Sequence, residues 1–301
     1  PPTSSPGCRA RDDATMRTRQ LHHVLDAATD TLARAGVGSP RVDAELLAAH
    51  VAGTDRGRLA LIEPGADFFQ RYQRLVARRA ERVPLQHLTG TAAFGSVTVQ
   101  VGPGVFIPRP ETEALLEWAL AQPLSQRPLV VDRPLVVDLC TGSAALALAL
   151  WEHRRGARVI GVDDSEEALA YARHNVLGTS VELVRADVSS AALLNELDGS
   201  VDLVVANPPY IPAGVQLEPE VAQYDPPHAL FGGDDGMAVV NHIVDLAARL
   251  LRPGGFCGVE HDDTTAGRTV EAFTRAGQFV EISARHDLAG RPRFVTAVRG
   301  G

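Results

Sequence analysis

From residue 135 onward, short apolar runs alternate with amphipathic helical stretches, and this alternation restricts the fold more than any other feature. LVVDL (135–139), RVIGVD (158–163), VELVRAD (181–187) and VDLVVAN (201–207) read as strands. Helical spacing follows at Ala145–His153, 166–176 and 236–251, GFCGVEH (255–261) reads as a further strand, and a closing helix and strand pair ends at Val298. This pattern predicts an α/β sheet wound on both faces. Such sheets take ligands at the carboxyl ends of their strands, so the residues just after each strand are the ones to inspect.

Ahead of this region the period is that of helices. Leu21, Val24, Leu25, Ala28, Leu32 and Ala35 recur at helical spacing before Gly36, Ser39-Pro40 opens a second helix running through Val51, and a third covers roughly 67–82. Residues 16–86 are therefore expected to form a small helical bundle. Residues 87–108 alternate Phe94, Val97, Val99, Val101, Val105 and Ile107 with glycines and read as a linking β-hairpin. The α/β domain is expected to fill 109–301, starting with a helix over 110–120. Residues 1–15, rich in Pro, Ser and Arg, are read as a disordered leader, and the first Met is Met16. RPLVVD occurs at 127–132 and again at 133–138; only the second copy runs into the Gly-bearing turn, so it is assigned the strand.

Composition excludes several chemistries. All 29 basic residues are Arg, so there is no lysine for a P-loop phosphate contact or a Schiff base. The net charge of −8 is uneven, with +3 on residues 1–85 and −11 on the rest. An acidic catalytic half is a poor general binder of phosphate backbones. Cys8, Cys140 and Cys257 lie far apart, which argues against a zinc ribbon or disulfide framework and suits a reducing, cytoplasmic setting. No stretch approaches the roughly 18 apolar residues of a membrane span.

The strongest chemical signal is Asn207-Pro208-Pro209-Tyr210, directly after a predicted strand. Asn207 precedes a proline and is pushed towards an extended conformation. The two prolines stiffen the corner and lack N–H groups, leaving only carbonyl acceptors. The Asn207 side-chain oxygen and the Pro208 carbonyl can thus accept both hydrogens of a planar NH₂ group, with Tyr210 stacked on it. That geometry suits attack by an amide-like nitrogen on a sulfonium methyl.

A donor site is expected at Asp138-Leu139-Cys140-Thr141-Gly142-Ser143-Ala144, where a strand turns into a helix N-terminus. Asp163, ending the next strand, can accept two ribose hydroxyls. Asp187, ending the third, can hold an adenine amino group, with Val188 beside the ring. Three acids at successive strand ends make a nucleoside pocket, and the expected cofactor is S-adenosylmethionine. Two clusters are set aside. Glu260-His261-Asp262-Asp263 is expected to be a post-strand loop and no metal site, since consecutive residues rarely converge on one ion; His22-His23 is expected on a helix surface.

VPLQHLTGTAAFG (83–95), VFIPRPETE (105–113), DLCTGSA (138–144), VVANPPYIP (204–212) and LEPEVAQYDPPHALFGGDDGM (217–237) resemble the release-factor glutamine methyltransferases, the HemK/PrmC family. The similarity runs from Met16 to Val298. It implies a class I, Rossmann-like methyltransferase domain behind a small helical one. It also implies methylation of the glutamine in the Gly-Gly-Gln loop of class-1 peptide chain release factors, a step of translation termination. Asn207, Pro208, Pro209 and Tyr210 would bind that glutamine, with Arg109 on a loop near the substrate; residues 140–144, Asp163, Val188 and Asn207 would line the donor pocket. Cys140 and Ala144 stand where this family commonly has glycine. If either needs φ > 0, it costs about 1–2 kcal/mol. Two rivals remain: a nucleic-acid amino methyltransferase, which shares Asn-Pro-Pro-Tyr, and a methyltransferase-fold binding module without activity. A dinucleotide oxidoreductase is disfavoured because the first turn lacks G-x-G-x-x-G.

Overall fold

The computed structural model describes residues 6–124, 133–287 and 289–301, with residues 6–19 described for their backbone alone. It divides into two compact units, Pro1–Gly90 and Thr91–Gly301.

In the first unit, α1 (Pro6–Arg34), α2 (Pro40–Ala52), α3 (Phe68–Ala80) and the short α4 (Leu85–Thr89) pack as a bundle. α1 contributes Leu21, Leu25, Ala28 and Leu32, the predicted stripe, to a core completed by Leu47 of α2 and Phe68, Tyr72 and Val76 of α3. α2 begins with Pro40 at its first position and ends at Gly53 in the left-handed region (φ 64°), whose N–H caps Ala49 and His50. The expectation of disorder over 1–15 is corrected for 6–15, which are helical: after Pro6-Gly7 the chain meets no breaker, and Ala, Arg and Met favour continuation. Residues 1–5 lie outside the described residues. His22 and His23 are exposed, as predicted.

The second unit opens with the hairpin β1 (Thr91–Phe94) and β2 (Val97–Gln100), turning at Gly95. Its buried side, Phe94, Val97 and Val99, packs on helices of this same unit, so the hairpin is an integral layer and not a free linker. The Asn175 side chain fastens it: Oδ1 accepts from the Gln100 N–H (2.7 Å), while Nδ2 donates to the Gln100 carbonyl (3.0 Å) and the Ser143 carbonyl (2.9 Å).

Beyond α5 (Glu113–Ala121) comes a seven-stranded sheet made of β3 (Leu135–Leu139), β4 (Arg158–Asp163), β5 (Glu182–Arg185), β6 (Val201–Ala206), β7 (Leu251–Glu260), β8 (Phe279–His286) and β9 (Pro292–Arg299). The order is β5-β4-β3-β6-β7-β9-β8, parallel except where β9 pairs antiparallel to both its neighbours. Alternate side chains feed two cores. Val136, Leu203 and Val205 enter one with α6 (Ala145–His153) and α7 (Glu166–Asn175); Val137, Leu139 and Val204 enter the other with α8 (Ala238–Leu250) and α9 (Ala266–Ala276). The doubly wound expectation is met. The second RPLVVD copy supplies β3, while the first, at 127–132, lies outside the described residues. β7 starts at Leu251, four residues earlier than expected, because Val201 pairs with Leu251 and Leu203 with Phe256 around a bulge that absorbs Pro253-Gly254. Among the described residues no helix is long and apolar enough to cross a membrane.

α5 lies close against β7 at Gly258. A Cβ there would stand 2.5 Å from Trp118 Cζ3 and 2.7 Å from Leu115 Cδ1. Gly258→Ala is therefore expected to destabilise the protein by about 1–3 kcal/mol through overpacking, read as a lower urea midpoint at unchanged slope; an unchanged midpoint would show that α5 does not rest on this contact.

Candidate functional site

The order of strands reverses direction of growth between β3 and β6, and a crevice opens at their carboxyl ends. The register Leu139↔Ala206 makes the next residues, Cys140 and Asn207, neighbours. A cavity of about 740 Å³ runs from one to the other, lined by Asp138, residues 140–143, Asp163, Asp187, Val188, Asn207, Pro208, Pro209, Tyr210 and Arg109. Of the predicted site residues, Ala144 alone does not line it; that side chain is buried in the core.

The turn after β3 is held by hydrogen bonds its sequence supplies. Thr141 N–H donates to the Val162 carbonyl (2.9 Å) and Ala144 N–H to the Thr141 carbonyl (2.8 Å). Gly161 of β4 lets Thr141 settle there, since a Cβ would come within 2.9 Å of its Oγ1. Cys140 (φ 59°), Gly142 (φ 56°) and Ala144 (φ 62°) are all left-handed. The condition attached to Cys140 and Ala144 thus holds at both positions, each carrying about 1–2 kcal/mol of backbone strain.

Asp138 is turned into this junction. Its Oδ2 accepts from Thr141 Oγ1 (2.6 Å) and from the Ala147 N–H (3.1 Å) in the first turn of α6. Burial pushes its carboxyl up to about 7, with those two bonds pulling the other way. Asp138 thus takes up a helix N-terminal N–H that was expected to face the ligand. Asp163 accepts from Gly142 N–H (2.8 Å) and Ser165 N–H (3.0 Å), and burial raises its pKa. Asp187 is exposed just past β5; the Ser189 N–H (2.7 Å) holds its pKa down. The Cys140 thiol is pushed well up by burial and then by Asp163, so it is no nucleophile.

The Asn207-Pro208-Pro209-Tyr210 corner is braced from two sides. Asn207 Nδ2 donates to Oγ1 of buried Thr112 (3.1 Å), and Tyr210 OH donates to Oε1 of Glu260 (3.0 Å). The Glu260 carboxyl is fully buried at the end of β7 and pushed up to about 7 by burial, opposed by Thr112, Tyr210 and Arg293. Burial likewise carries the Tyr210 phenol well up. On the other side, residues 231–236 close over the corner. A Cβ on Gly232 would meet the Pro209 carbonyl at 2.5 Å, and one on Gly236 the Tyr210 carbonyl at 2.3 Å, so glycine is required at both. Arg109 stacks on Phe106 (4.9 Å) and forms an ion pair with buried Asp225, tying the turn at 110–112 to the loop after β6.

Thr112, Asp225, Glu260 and Arg293 escaped the sequence reading. Glu260 falls inside the run 255–261 expected as a strand, is the last residue of β7 and lies beneath Tyr210, so of the loop expected over 260–263 only the part from His261 on is outside the strand. The available signal was its place in the row of strand ends, two strands away from Asp138.

A carboxyl whose pKa is raised by folding favours the folded state while protonated. That benefit is complete below the ordinary value of 4.5 and is lost as pH climbs through about 7. Glu260→Gln should match the parent protein in urea midpoint near pH 4.5 and become the more stable of the two by pH 8. A gap that shrinks with rising pH would contradict the buried, raised carboxyl.

Two family models match, "PrmC N-terminal domain" over residues 23–90 and "Methyltransferase domain" over residues 136–215. A release factor glutamine methyltransferase of Mycolicibacterium smegmatis is 63% identical over 281 residues, covering 93% of this chain and 98% of its own length. The protein of that name from Mycobacterium tuberculosis is 62% identical over 286 residues (93% and 92% covered), and that from Streptomyces coelicolor 48% over 272 (90% and 95%). Likeness of this degree extends through both units, and the chain belongs to the release factor glutamine methyltransferase family.

Proposed function

We propose that this chain transfers a methyl group from S-adenosylmethionine to the side-chain amide nitrogen of the glutamine in the Gly-Gly-Gln loop of class-1 release factors, in the cytoplasm, where translation terminates. The observation that carries the reading is that one cavity joins two dissimilar ends. One end is a strand–turn–helix junction with carboxylates; the other is a rigid corner of carbonyl acceptors.

The residues fit the donor. A Cβ at Gly142 would meet nothing within 4 Å, so the turn shows bare backbone to the cavity. Asp163, Asp164 and Asp187 line it after the strand ends, carboxylates that suit a cationic ligand better than phosphates, while Arg109, Arg291 and Arg293 line the same cavity. Residues 140–143 would hold the methionine portion, Asp163 the ribose, and Asp187 with Val188 the adenine. When bound, S-adenosylmethionine supplies an electrophilic methyl carbon on a positively charged sulfur.

Everything else falls to the chain's own groups. The Asn207 side-chain oxygen and the Pro208 carbonyl accept the two N–H groups of the glutamine amide and turn its lone pair towards the donor end. Pro208 and Pro209 contribute no competing N–H. Tyr210, its hydroxyl tied to Glu260, holds its ring beside the planar group and excludes water. Arg109 shapes the substrate end through Asp225. Orientation of this kind contributes roughly 7–11 kcal/mol. No strong base is needed before transfer, because the methylated nitrogen becomes acidic and sheds its proton afterwards.

Incubation with labelled donor and a release factor should label the factor and not its loop Gln→Ala variant; label entering only DNA or RNA would overturn the reading. Asn207→Ala should reduce turnover at least 100-fold, about 2.7 kcal/mol, while calorimetric donor affinity falls much less. Unchanged turnover in that variant would remove Asn207 from its role.

A further inference from the structure

The proposed chemistry requires that Asn207 present its oxygen, not its nitrogen, to the cavity. An amide side chain is nearly symmetric in shape, and a half-turn exchanges the two ends. Something must therefore select the end. Resting on the glutamine-methylation reading above, we infer that Thr112 is the positioning residue that fixes the Asn207 amide with its oxygen towards the substrate, under the direction of the buried carboxylate of Glu260.

The selection follows from donor and acceptor counts. Thr112 Oγ1 receives a hydrogen from Asn207 Nδ2 at 3.1 Å. A hydroxyl has one proton to give, and this one stands beside the Glu260 carboxyl, which an ionised state makes purely an acceptor. Tyr210 OH already donates to Glu260 Oε1 at 3.0 Å, and the Arg293 guanidinium faces the same pair. The Glu111 carboxylate is the one opposing charge named near it, and Glu260 Oε2 is a buried acceptor without a hydrogen-bond partner among the described residues; a Thr112 proton turned towards that carboxyl leaves only lone pairs for Asn207. Thr112 and Glu260 are 4% and 0% exposed, and Thr112 lies on the wall of the cavity.

Turning the amide over would force Thr112 to donate to Asn207 Oδ1 and withdraw from the carboxylate. It would also place an NH₂ against the NH₂ of the substrate, two donors with no acceptor between them. In the observed arrangement no described residue donates to Asn207 Oδ1, which leaves that oxygen for the cavity. Thr112 sits in the turn 110–112, which Arg109 fastens to Asp225, so the hydroxyl itself is held in place.

The test uses the full chain at pH 8, above the raised Glu260 value of about 7, with Thr112→Val and Thr112→Ser. Val keeps the shape and deletes the hydroxyl; Ser keeps the hydroxyl. The chain has only four asparagines, Asn175, Asn195, Asn207 and Asn241, so ¹⁵N-asparagine labelling resolves each side-chain amide by NMR. In the parent protein and in Thr112→Ser, one Asn207 side-chain proton should exchange slowly with solvent; in Thr112→Val that protection should fall at least tenfold. For methylation of a release factor, kcat should fall at least tenfold in Thr112→Val with the donor KM within about twofold, and Thr112→Ser should recover most of it. Full protection and full kcat in Thr112→Val would overturn the inference, as would Thr112→Ser behaving like Thr112→Val. The NMR arm reads the amide whether or not a release factor is methylated, so failure of the broader functional reading shows separately, as a parent protein that labels no release factor.

Discussion

The pairing of β3 with β6 is the constraint on which the site depends. With Asp138 opposite Val205 and Leu139 opposite Ala206, two segments far apart in sequence leave the sheet side by side. The donor-type turn begins at one exit and the acceptor corner at the other. A slip of one residue would send Val136 and Val205 to the wrong cores and separate the two exits. The apolar cores on both faces therefore set the register, and the register sets the distance across which the chemistry is proposed to occur.

Beneath the corner lies a polar cluster that burial makes costly. Asn207 pairs with Thr112 and Tyr210 with Glu260, while Glu260 Oε2 has no partner among the described residues, in an interior where an unsatisfied group costs about 1–3 kcal/mol. An apolar filling would be cheaper to fold, but it could not dictate which way an amide side chain faces. The glycines at 232 and 236 act on the same corner from above, by letting backbone approach backbone more closely than any side chain allows. Strain in the opposite turn, at Cys140 and Ala144, is a second local cost at the same crevice.

The architecture could be read from the sequence because its signals are local. The strands following 135 are continuous apolar runs, and the helical stripe of Leu21, Leu25, Ala28 and Leu32 is unbroken. Asn207 to Tyr210 stood out because proline chemistry is visible in four adjacent letters. The left-handed demand at 140 and 144 is not written in the sequence, since only the path of the backbone decides it. Thr112, Asp225 and Arg293 could not be found, because their meaning arises from contacts across long separations: Asn207 lies 95 residues from Thr112, and Arg109 lies 116 from Asp225. Helix over 6–15 is obscured in the sequence for a different reason, since Pro and Ser at the very start are helix breakers or caps that precede the helix-favouring residues.

The most direct measurement is a crystal structure of the full chain with S-adenosylhomocysteine and a Gly-Gly-Gln peptide. The account predicts the glutamine amide nitrogen within hydrogen-bond distance of both Asn207 Oδ1 and the Pro208 carbonyl, with its open side facing the sulfur. A glutamine bound elsewhere, or a corner directed away from the sulfur, would contradict it.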